Sequence, residues 1–298
     1  SLAPSIAVIL ATYNGEEYIE EQLMSLQSQI GVNITVFVSD DCSTDNTLSL
    51  IKNFSCTDFC SIKVVILDED TKFGSATSNF LSAVIKAPVG DFDYVCFCDQ
   101  DDIWLPQKLI RAVDLIRENN VGGYSSNSIS WHHGSGRCDL IKKNYPQTPF
   151  DHMFQGPGPG CSMVMRASDA LLLVNFLKGM TDLERSRIWW HDWFTYAFFR
   201  ANELGWYIDS YASLLYRQHE ANVIGANVGL SGILSRLKLL QRWKKEVVFL
   251  ANTLGYQNKL PVKSSKSLRF FFITSLFKSR RRLLDSFLLA ILSIFLLL

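Results

Sequence analysis

Four apolar runs, each followed by a polar loop and then by apolar residues at helical spacing, fill the chain from Ile6 to Ile116. Ile6-Ala7-Val8-Ile9-Leu10, Ile34-Thr35-Val36-Phe37-Val38, Ile62 to Leu67 and Tyr94 to Cys98 predict strands, and near-continuous apolar character is what burial on both faces requires. Between them Ile19, Leu23 and Leu26, then Leu48 and Ile51, then Phe80, Leu81, Val84 and Ile85 recur at helical intervals. After the fourth run Pro106 predicts a helix start, with Leu109, Ala112, Val113 and Ile116 on its apolar face. Strand, loop and helix in repeated order imply parallel pairing with right-handed crossovers, an α/β class.

Past Asn119 the pattern loosens. Gly122 to Ile129 reads as a strand and Trp131 to Phe150 as loop. Gln155-Gly156-Pro157-Gly158-Pro159-Gly160 is too turn-dense for a helix or a central strand. It leads into a short strand, Cys161 to Met165, and then a helix capped by Asp169. A polar interval from Lys178 to Arg187 precedes Trp189-Trp190-His191-Asp192-Trp193-Phe194, which opens a helix running to about Leu204. Tyr207-Ile208 and Leu214 to Arg217 predict two further short strands.

The chemistry sits on the loops. Asp99-Gln100-Asp101-Asp102 follows the fourth strand directly, at the carboxyl end where open α/β sheets bind ligands. Two carboxylates about 4 Å apart repel by roughly 4 kcal/mol at an effective dielectric near 20. A divalent cation removes that cost, and oxygen ligands suit Mg2+ or Mn2+. The competing reading is a solvated acidic turn with Asp102 near the next helix cap. A second acidic loop, Asp40-Asp41-Cys42-Ser43-Thr44-Asp45, follows the second strand. No G-x-G-x-x-G follows the first strand and no G-x-x-x-x-G-K-[ST] occurs, so dinucleotide and P-loop sites are excluded.

Net charge is zero over 298 residues, but it is unevenly distributed. Residues 1–230 carry 16 Lys+Arg against 27 Asp+Glu, and residues 231–298 carry 13 against 2. Ile233, Leu237, Leu240, Trp243, Val247 and Leu250 form a helical stripe with Arg236, Lys238, Arg242, Lys244 and Lys245 mostly off it. That pattern predicts a helix lying on an anionic membrane surface, the alternative being a helix docked on the catalytic domain. The uncharged run from Ser286 would extend about 20 Å as a helix, short of a bilayer core of roughly 30 Å. No nucleic-acid motif accompanies the basic residues, so no nucleic-acid partner is expected. Seven cysteines without a paired Cys-x-x-Cys element, and no visible signal peptide, predict a reducing cytoplasmic compartment.

Taken in order, Thr12-Tyr13-Asn14-Gly15, Asp40 to Asp45, Asp99-Gln100-Asp101-Asp102, Gly160-Cys161-Ser162-Met163, His191-Asp192-Trp193 and Tyr216-Arg217-Gln218-His219 resemble the family 2 glycosyltransferases of the GT-A fold. The rhamnosyltransferase-like members are the most similar. The resemblance spans roughly residues 4–225. It implies a GT-A catalytic domain over 1–228, a mainly parallel Rossmann-like sheet flanked by helices. A helical, membrane-associating region over 229–298 would follow.

The implied activity is metal-dependent, inverting transfer of a sugar from a nucleotide diphosphate to a hydroxyl of a lipid-linked glycan. The implied setting is bacterial surface-polysaccharide synthesis, including O-antigen and capsule, at the cytoplasmic face of the inner membrane. The expected donor is dTDP-rhamnose, with UDP-glucose, UDP-galactose or UDP-GlcNAc as alternatives.

By the same resemblance Thr12, Tyr13, Asn14, Asp40, Asp41, Lys72, Asp99 and Gln100 contact the nucleotide, Asp41 reading the base. Asp101, Asp99 and His219 hold Mn2+ or Mg2+, Asp101 being the preferred direct ligand. Arg217 and His219 meet the diphosphate, while Trp190, Trp193 and Gly160 face the acceptor. Asp192 is the general base, although an Asp at a helix start is also an ordinary N-cap. Trp104 is expected to pack beneath the metal loop.

Two positions depart from the family pattern: Cys42 replaces a glycine, and Thr77-Ser78-Asn79 lacks an arginine that often touches the donor. A sugar-phosphate nucleotidyltransferase would carry a glycine-rich loop where Ala11-Thr12-Tyr13-Asn14-Gly15 stands. A catalytically silent membrane scaffold would lack metal-dependent donor hydrolysis.

Overall fold

The computed structural model describes residues 3–55, 62–132, 134–218, 230–260, 271, 276–282 and 284–286. The first half alternates strand and helix as the apolar runs predict: β1 (Ser5–Thr12), α1 (Ile19–Gln27), β2 (Asn33–Asp40), α2 (Thr47–Ser55), β3 (Lys63–Asp68), α3 (Ala76–Lys86) and β4 (Tyr94–Cys98). A two-residue strand, β5 (Ile103–Trp104), and α4 (Lys108–Glu118) follow. β1 pairs in parallel with both β2 and β4, and β2 with β3, giving the order β3-β2-β1-β4. In that register Thr12 lies opposite Asp40 and Leu10 opposite Cys98. The three loops that follow β1, β2 and β4 therefore converge at one sheet edge.

The second half extends the same sheet with β6 (Gly123–His132), β7 (Arg137–Ile141), β8 (Val164–Arg166) and β9 (Trp206–Gln218). β8 runs antiparallel between β4 and β6, β9 pairs in parallel with β6, and β5 closes against β9. Four predictions change here. The segment read as loop after Trp131 contains β7, a hairpin strand on β6 that is exposed along most of its length. With no buried face, it shows no apolar alternation. The two short strands near Tyr207 and Leu214 are one strand, whose pairing with β6 jumps from Ser126–Asp209 to Asn127–Ala212. This bulge spans the polar stretch that divided it in sequence. Finally, Cys161 and Ser162, read as the start of a strand, lie in a 3-10 turn, Gly160–Ser162, and Asp169 lies inside α5 (Ala167–Gly179), beside Arg166, instead of capping it.

Apolar side chains pack on both faces of the sheet. One layer gathers Ile19, Leu23, Leu26, Leu109, Val113 and Ile116 against Val8, Leu10 and Cys96. The other gathers Phe80, Val84, Leu173 and Leu177 with Phe194, Ala197 and Phe198 of α7 (His191–Ala201). The polar interval before α7 holds a short helix, α6 (Asp182–Arg185), closed by a Thr181–Glu184 capping box.

The helix expected on a membrane surface, α8 (Leu230–Thr253), also belongs to this second layer. Val247, Leu250 and Ala251 are fully buried in it, and Trp243 Nε1 donates to the Phe154 carbonyl at 2.9 Å. Over its described side chains the apolar stripe is spent on the catalytic domain, because a large aromatic surface was there to cover. No helix among the described residues is long and apolar enough to cross a membrane.

Candidate active site

The loop after β2 is held by its first aspartate. Asp40 is fully buried and accepts hydrogen bonds from Thr12 Oγ1, Ser43 N and Ser43 Oγ, each at 2.6 Å. Cys42 turns the loop with φ at +55°, a conformation that glycine adopts without strain. Asn14, also at positive φ, accepts from Thr44 N at 2.8 Å. Asp45 accepts from Glu16 N and Thr47 N at 3.0 Å each. Thr12, Asn14 and Asp40, expected at the nucleotide, thus bind the β1 and β2 loops to each other.

Asp41 is different. Its carboxylate reaches across to the 72–74 turn, accepting from Phe73 N and from Gly74 N at 2.9 Å. Exposed Lys72 rides on that turn, and Tyr13 stands 52% exposed on the β1 loop. Asp41 retains lone pairs on Oδ2, so a base could bind there alongside the turn. Gln100 clasps the main chain of Tyr13 with both ends of its amide, at 2.8 and 3.0 Å. A Cβ on Gly15 would collide with that amide, which is why the turn needs glycine there.

The acid loop after β4 holds the candidate metal centre. Ligand atoms of Asp99, Asp102 and Cys161 lie within 4.8 Å of one another. Burial, then repulsion from Asp101, pushes Asp99 up to about 7, with the Cys161 thiol pulling it back and Asp192 raising it further. Asp102 is fully buried, and burial followed by the charges of Asp99 and Asp101 raises it well above the carboxylate range. Its Oδ2 has no partner among the described residues. Two raised acids and an orphaned oxygen fit a site where a divalent cation replaces a proton. Asp101, the preferred ligand from sequence, is half-buried on the same loop but outside that triad.

Arg217, expected at the diphosphate, is 1% exposed and clasps the acid loop from β9. Its backbone N–H donates to Asp102 at 3.2 Å and its Nε to the Asp101 carbonyl at 2.8 Å. Its Nη2 pairs with Glu21, and the guanidinium lies between the rings of Tyr18 and Trp131, 4.5 and 4.6 Å from their centroids. Trp104 packs beneath the loop as predicted, 1% exposed. Above its ring, at 3.6 Å, lies Lys108 Nζ, buried and without an acceptor among the described residues. Burial lowers the Lys108 pKa against the pull of Cys96, Cys161, Cys98 and Asp102. Apolar periodicity passes over such a residue, since it opens an otherwise ordinary amphipathic helix. His219 lies outside the described residues.

Asp192 is the second residue of α7. The N-cap position belongs to Trp190, which makes no side-chain cap bond. Asp192 Oδ1 instead accepts from Trp193 N at 2.7 Å. Burial pushes Asp192 up to about 6, opposed by that N–H and by Lys143. Gly160 allows the close approach of the turn-dense segment: a Cβ there would stand 2.5 Å from His191 Nε2 and 3.5 Å from Asp192 Cβ. His191 stacks on Phe80 at 4.2 Å, and burial drops its pKa to about 3, so it is neutral.

Trp193, expected on the acceptor side, is 5% exposed, and its Nε1 donates to the His152 carbonyl at 2.8 Å. Trp190 is half-buried, and Trp189 is 40% exposed with the Arg242 guanidinium 4.3 Å from its ring centroid.

Three neighbours of Asp192 were not legible in sequence. Lys143 comes from the segment read as patternless loop. Thr77, from the tripeptide that departs from the family pattern, donates to the Trp189 carbonyl at 2.9 Å. Glu246 reaches in from α8, fully buried, and accepts from Trp189 N at 3.3 Å. Burial pushes Glu246 up to about 8; the Trp189 N–H opposes this, and the Asp192 charge adds to it.

Residues 7–169 match the family model described as glycosyl transferase family 2. Among curated proteins, the chain is 42% identical over 248 residues to dTDP-rhamnosyl transferase RfbG of Shigella flexneri, covering 83% of this chain and 84% of that one. Its fold is similar to S. aureus TarS 1-349 solved in complex with UDP-GlcNAc, with a TM-score of 0.58 at 21% identity, over 84% of this chain and 71% of that one. It is also similar to the mannosyltransferase PcManGT of Pyrobaculum calidifontis, solved with GDP-Man and Mn2+. There the TM-score is 0.51 at 16% identity, over 98% and 87% of the two chains.

Proposed function

The chain belongs to glycosyl transferase family 2, and from that membership we propose that it transfers rhamnose from dTDP-rhamnose to a hydroxyl of a lipid-linked glycan in bacterial surface-polysaccharide synthesis. It is a glycosyltransferase that uses a nucleotide sugar. The observation that carries the donor is the 42% identity to a dTDP-rhamnosyl transferase over most of both chains. The family also sets aside a nucleotidyltransferase.

In this reading Asp41 reads the pyrimidine from the 72–74 turn, with Tyr13 and Lys72 at the nucleotide's outer side. Asp99 and Asp102, with Asp101 on the same loop, would hold Mn2+ or Mg2+. When bound, that cation supplies neutralisation of the leaving diphosphate. Asp192 takes the proton of the acceptor hydroxyl as it attacks the anomeric carbon. A single displacement with inversion needs one base and no carboxylate nucleophile. Asp192 suits the role because its carboxylate is ionised above pH 6 and its charge is felt by Asp99. Acceptor and basic chain end both point to work at the cytoplasmic face of the inner membrane.

The test is donor turnover with manganese: dTDP-rhamnose, UDP-glucose, UDP-galactose and UDP-GlcNAc are each incubated with the full chain, and released nucleotide is measured. Release from dTDP-rhamnose above the others is expected. Preference for a UDP-sugar would move the donor, and no metal-dependent release from any would leave the scaffold reading.

A further inference from the structure

A cavity of about 520 Å3 opens between residues 145–148, which follow β7, and Arg280, Arg281, Arg282 and Leu284 at the basic end of the chain. None of its lining residues belongs to the loops after β1, β2 or β4. Arg280, Arg281 and Arg282 line it together with the apolar faces of Tyr145, Pro146 and Leu284. Arg281 is the fixed member, donating to buried Asp151 at 2.9 Å and to the Gly156 carbonyl at 2.7 Å. Arg200 shares the same carboxylate at 3.1 Å, so Asp151 answers two guanidiniums with one charge.

Arg280 and Arg282 carry the surplus. Arg280 Nη1 donates to Gln155 Oε1 at 3.3 Å, while its Nε is buried with no acceptor among the described residues. Burial lowers the Arg280 pKa to about 10, Asp285 opposing and Arg281 reinforcing the shift. Arg282 is exposed and makes no ion pair among the described residues. A buried guanidinium N–H without an acceptor, beside an exposed arginine, suits an oxyanion.

Arg281 of the cavity reaches the segment that packs against α7, the helix carrying Asp192. A Cβ on Gly156, whose carbonyl Arg281 holds, would stand 3.5 Å from the Trp193 Cβ. Lys143 feels the charges of Arg280 and Arg281 on one side and of Asp192 on another. A molecule bound among the arginines would therefore lie on the acceptor's side of the reaction.

We propose that this cavity binds the phosphate-bearing head of the lipid-linked acceptor, Arg280 and Arg282 pairing with its phosphate oxygens and the apolar wall covering the first carbons of its lipid. The inference rests on the acceptor class given under the proposed function.

The full chain, saturated with dTDP to fill the nucleotide site, is titrated with farnesyl diphosphate by calorimetry, with farnesol as the neutral control. Farnesyl diphosphate should bind, farnesol at least tenfold more weakly. The double variant Arg280→Gln, Arg282→Gln should weaken farnesyl diphosphate tenfold or more and leave dTDP affinity unchanged. Arg281 is kept because it holds Asp151. Equal binding of farnesol, unchanged affinity in the variant, or displacement of farnesyl diphosphate by dTDP would each overturn the proposal. Loss of co-sedimentation with phosphatidylglycerol vesicles, with farnesyl diphosphate affinity intact, would reassign the arginines to the bilayer and also overturn it. Failure of the wild type to bind dTDP would instead count against the nucleotide-sugar reading, and the farnesyl diphosphate titration is read separately from it.

Discussion

Replacing Asp192 by Asn separates a base from a structural acid, because the two roles predict opposite signs. The carboxylate sits in the first turn of α7 rather than at its N-cap, and its Oδ1 accepts from Trp193 N at 2.7 Å. Asn keeps an oxygen for that bond and loses only the charge and the proton affinity. Burial lifts the Asp192 pKa from 3.8 to about 6. An acid raised on folding binds more protons folded than unfolded. Its favourable state is therefore complete below pH 3.8, and stability is lost as pH rises towards 6. At about 1.4 kcal/mol per pH unit over this interval, the ionised carboxylate costs the fold up to about 3 kcal/mol at neutral pH.

Asp192→Asn should then melt higher than wild type at pH 7.5, and by a margin that shrinks towards pH 4. Transfer should fall roughly 10²-fold or more, with donor affinity unchanged. The wild-type rate should also show an acid limb centred near pH 6, with about a tenth of full activity one unit lower. Melting temperature by calorimetry and transfer rate against pH, on both proteins, give the answer. Normal turnover in the Asn variant, or a rate profile flat through pH 6, refutes Asp192 as the base.

Glu246→Gln should raise the melting temperature at pH 8, where the buried carboxyl begins to ionise, and change little near pH 4.5; on its shift from 4.5 to about 8 the gain is about 2–4 kcal/mol. No gain at pH 8 would mean that the carboxyl is solvated. Cys42→Gly should stabilise by about 0.5–1 kcal/mol by relieving the positive φ, read as a higher urea midpoint with donor turnover unchanged; a lower midpoint would show that the thiol contributes packing that outweighs the strain. Asp99→Asn should abolish manganese binding in a calorimetric titration while leaving dTDP binding measurable, and full manganese affinity in that variant would remove Asp99 from the metal site.

What the chain could say by itself followed from periodicity. Apolar runs of five or so residues, alternating with helical stripes, determined the parallel order of β1 to β4, and with it the convergence of the Thr12, Asp40 and Asp99 loops at one edge. Motif order determined the family. Tertiary structure decided which of those loop residues stay available. Asp40, Asn14 and Gln100 look like ligand residues in sequence, but Asp40 bonds Ser43 N of its own loop and the Thr12 hydroxyl, while Asn14 and Gln100 each satisfy a main-chain group of a neighbouring loop, because converging loops leave polar backbone that something must bond.

Arg217 illustrates the same limit. Nothing local shows that Tyr18, Glu21 and Trp131, distant in the chain, will enclose it. The apolar stripe of α8 was visible in sequence, yet a stripe carries no label for its partner, and among its described side chains Trp243, Val247 and Leu250 pack on the aromatic surface of α7 and the 150s. Lys143, Glu246 and the arginines at 280–282 reach the neighbourhood of Asp192 only through contacts between distant parts of the chain. Periodicity cannot encode such contacts, since it records which face of an element is buried and not what buries it.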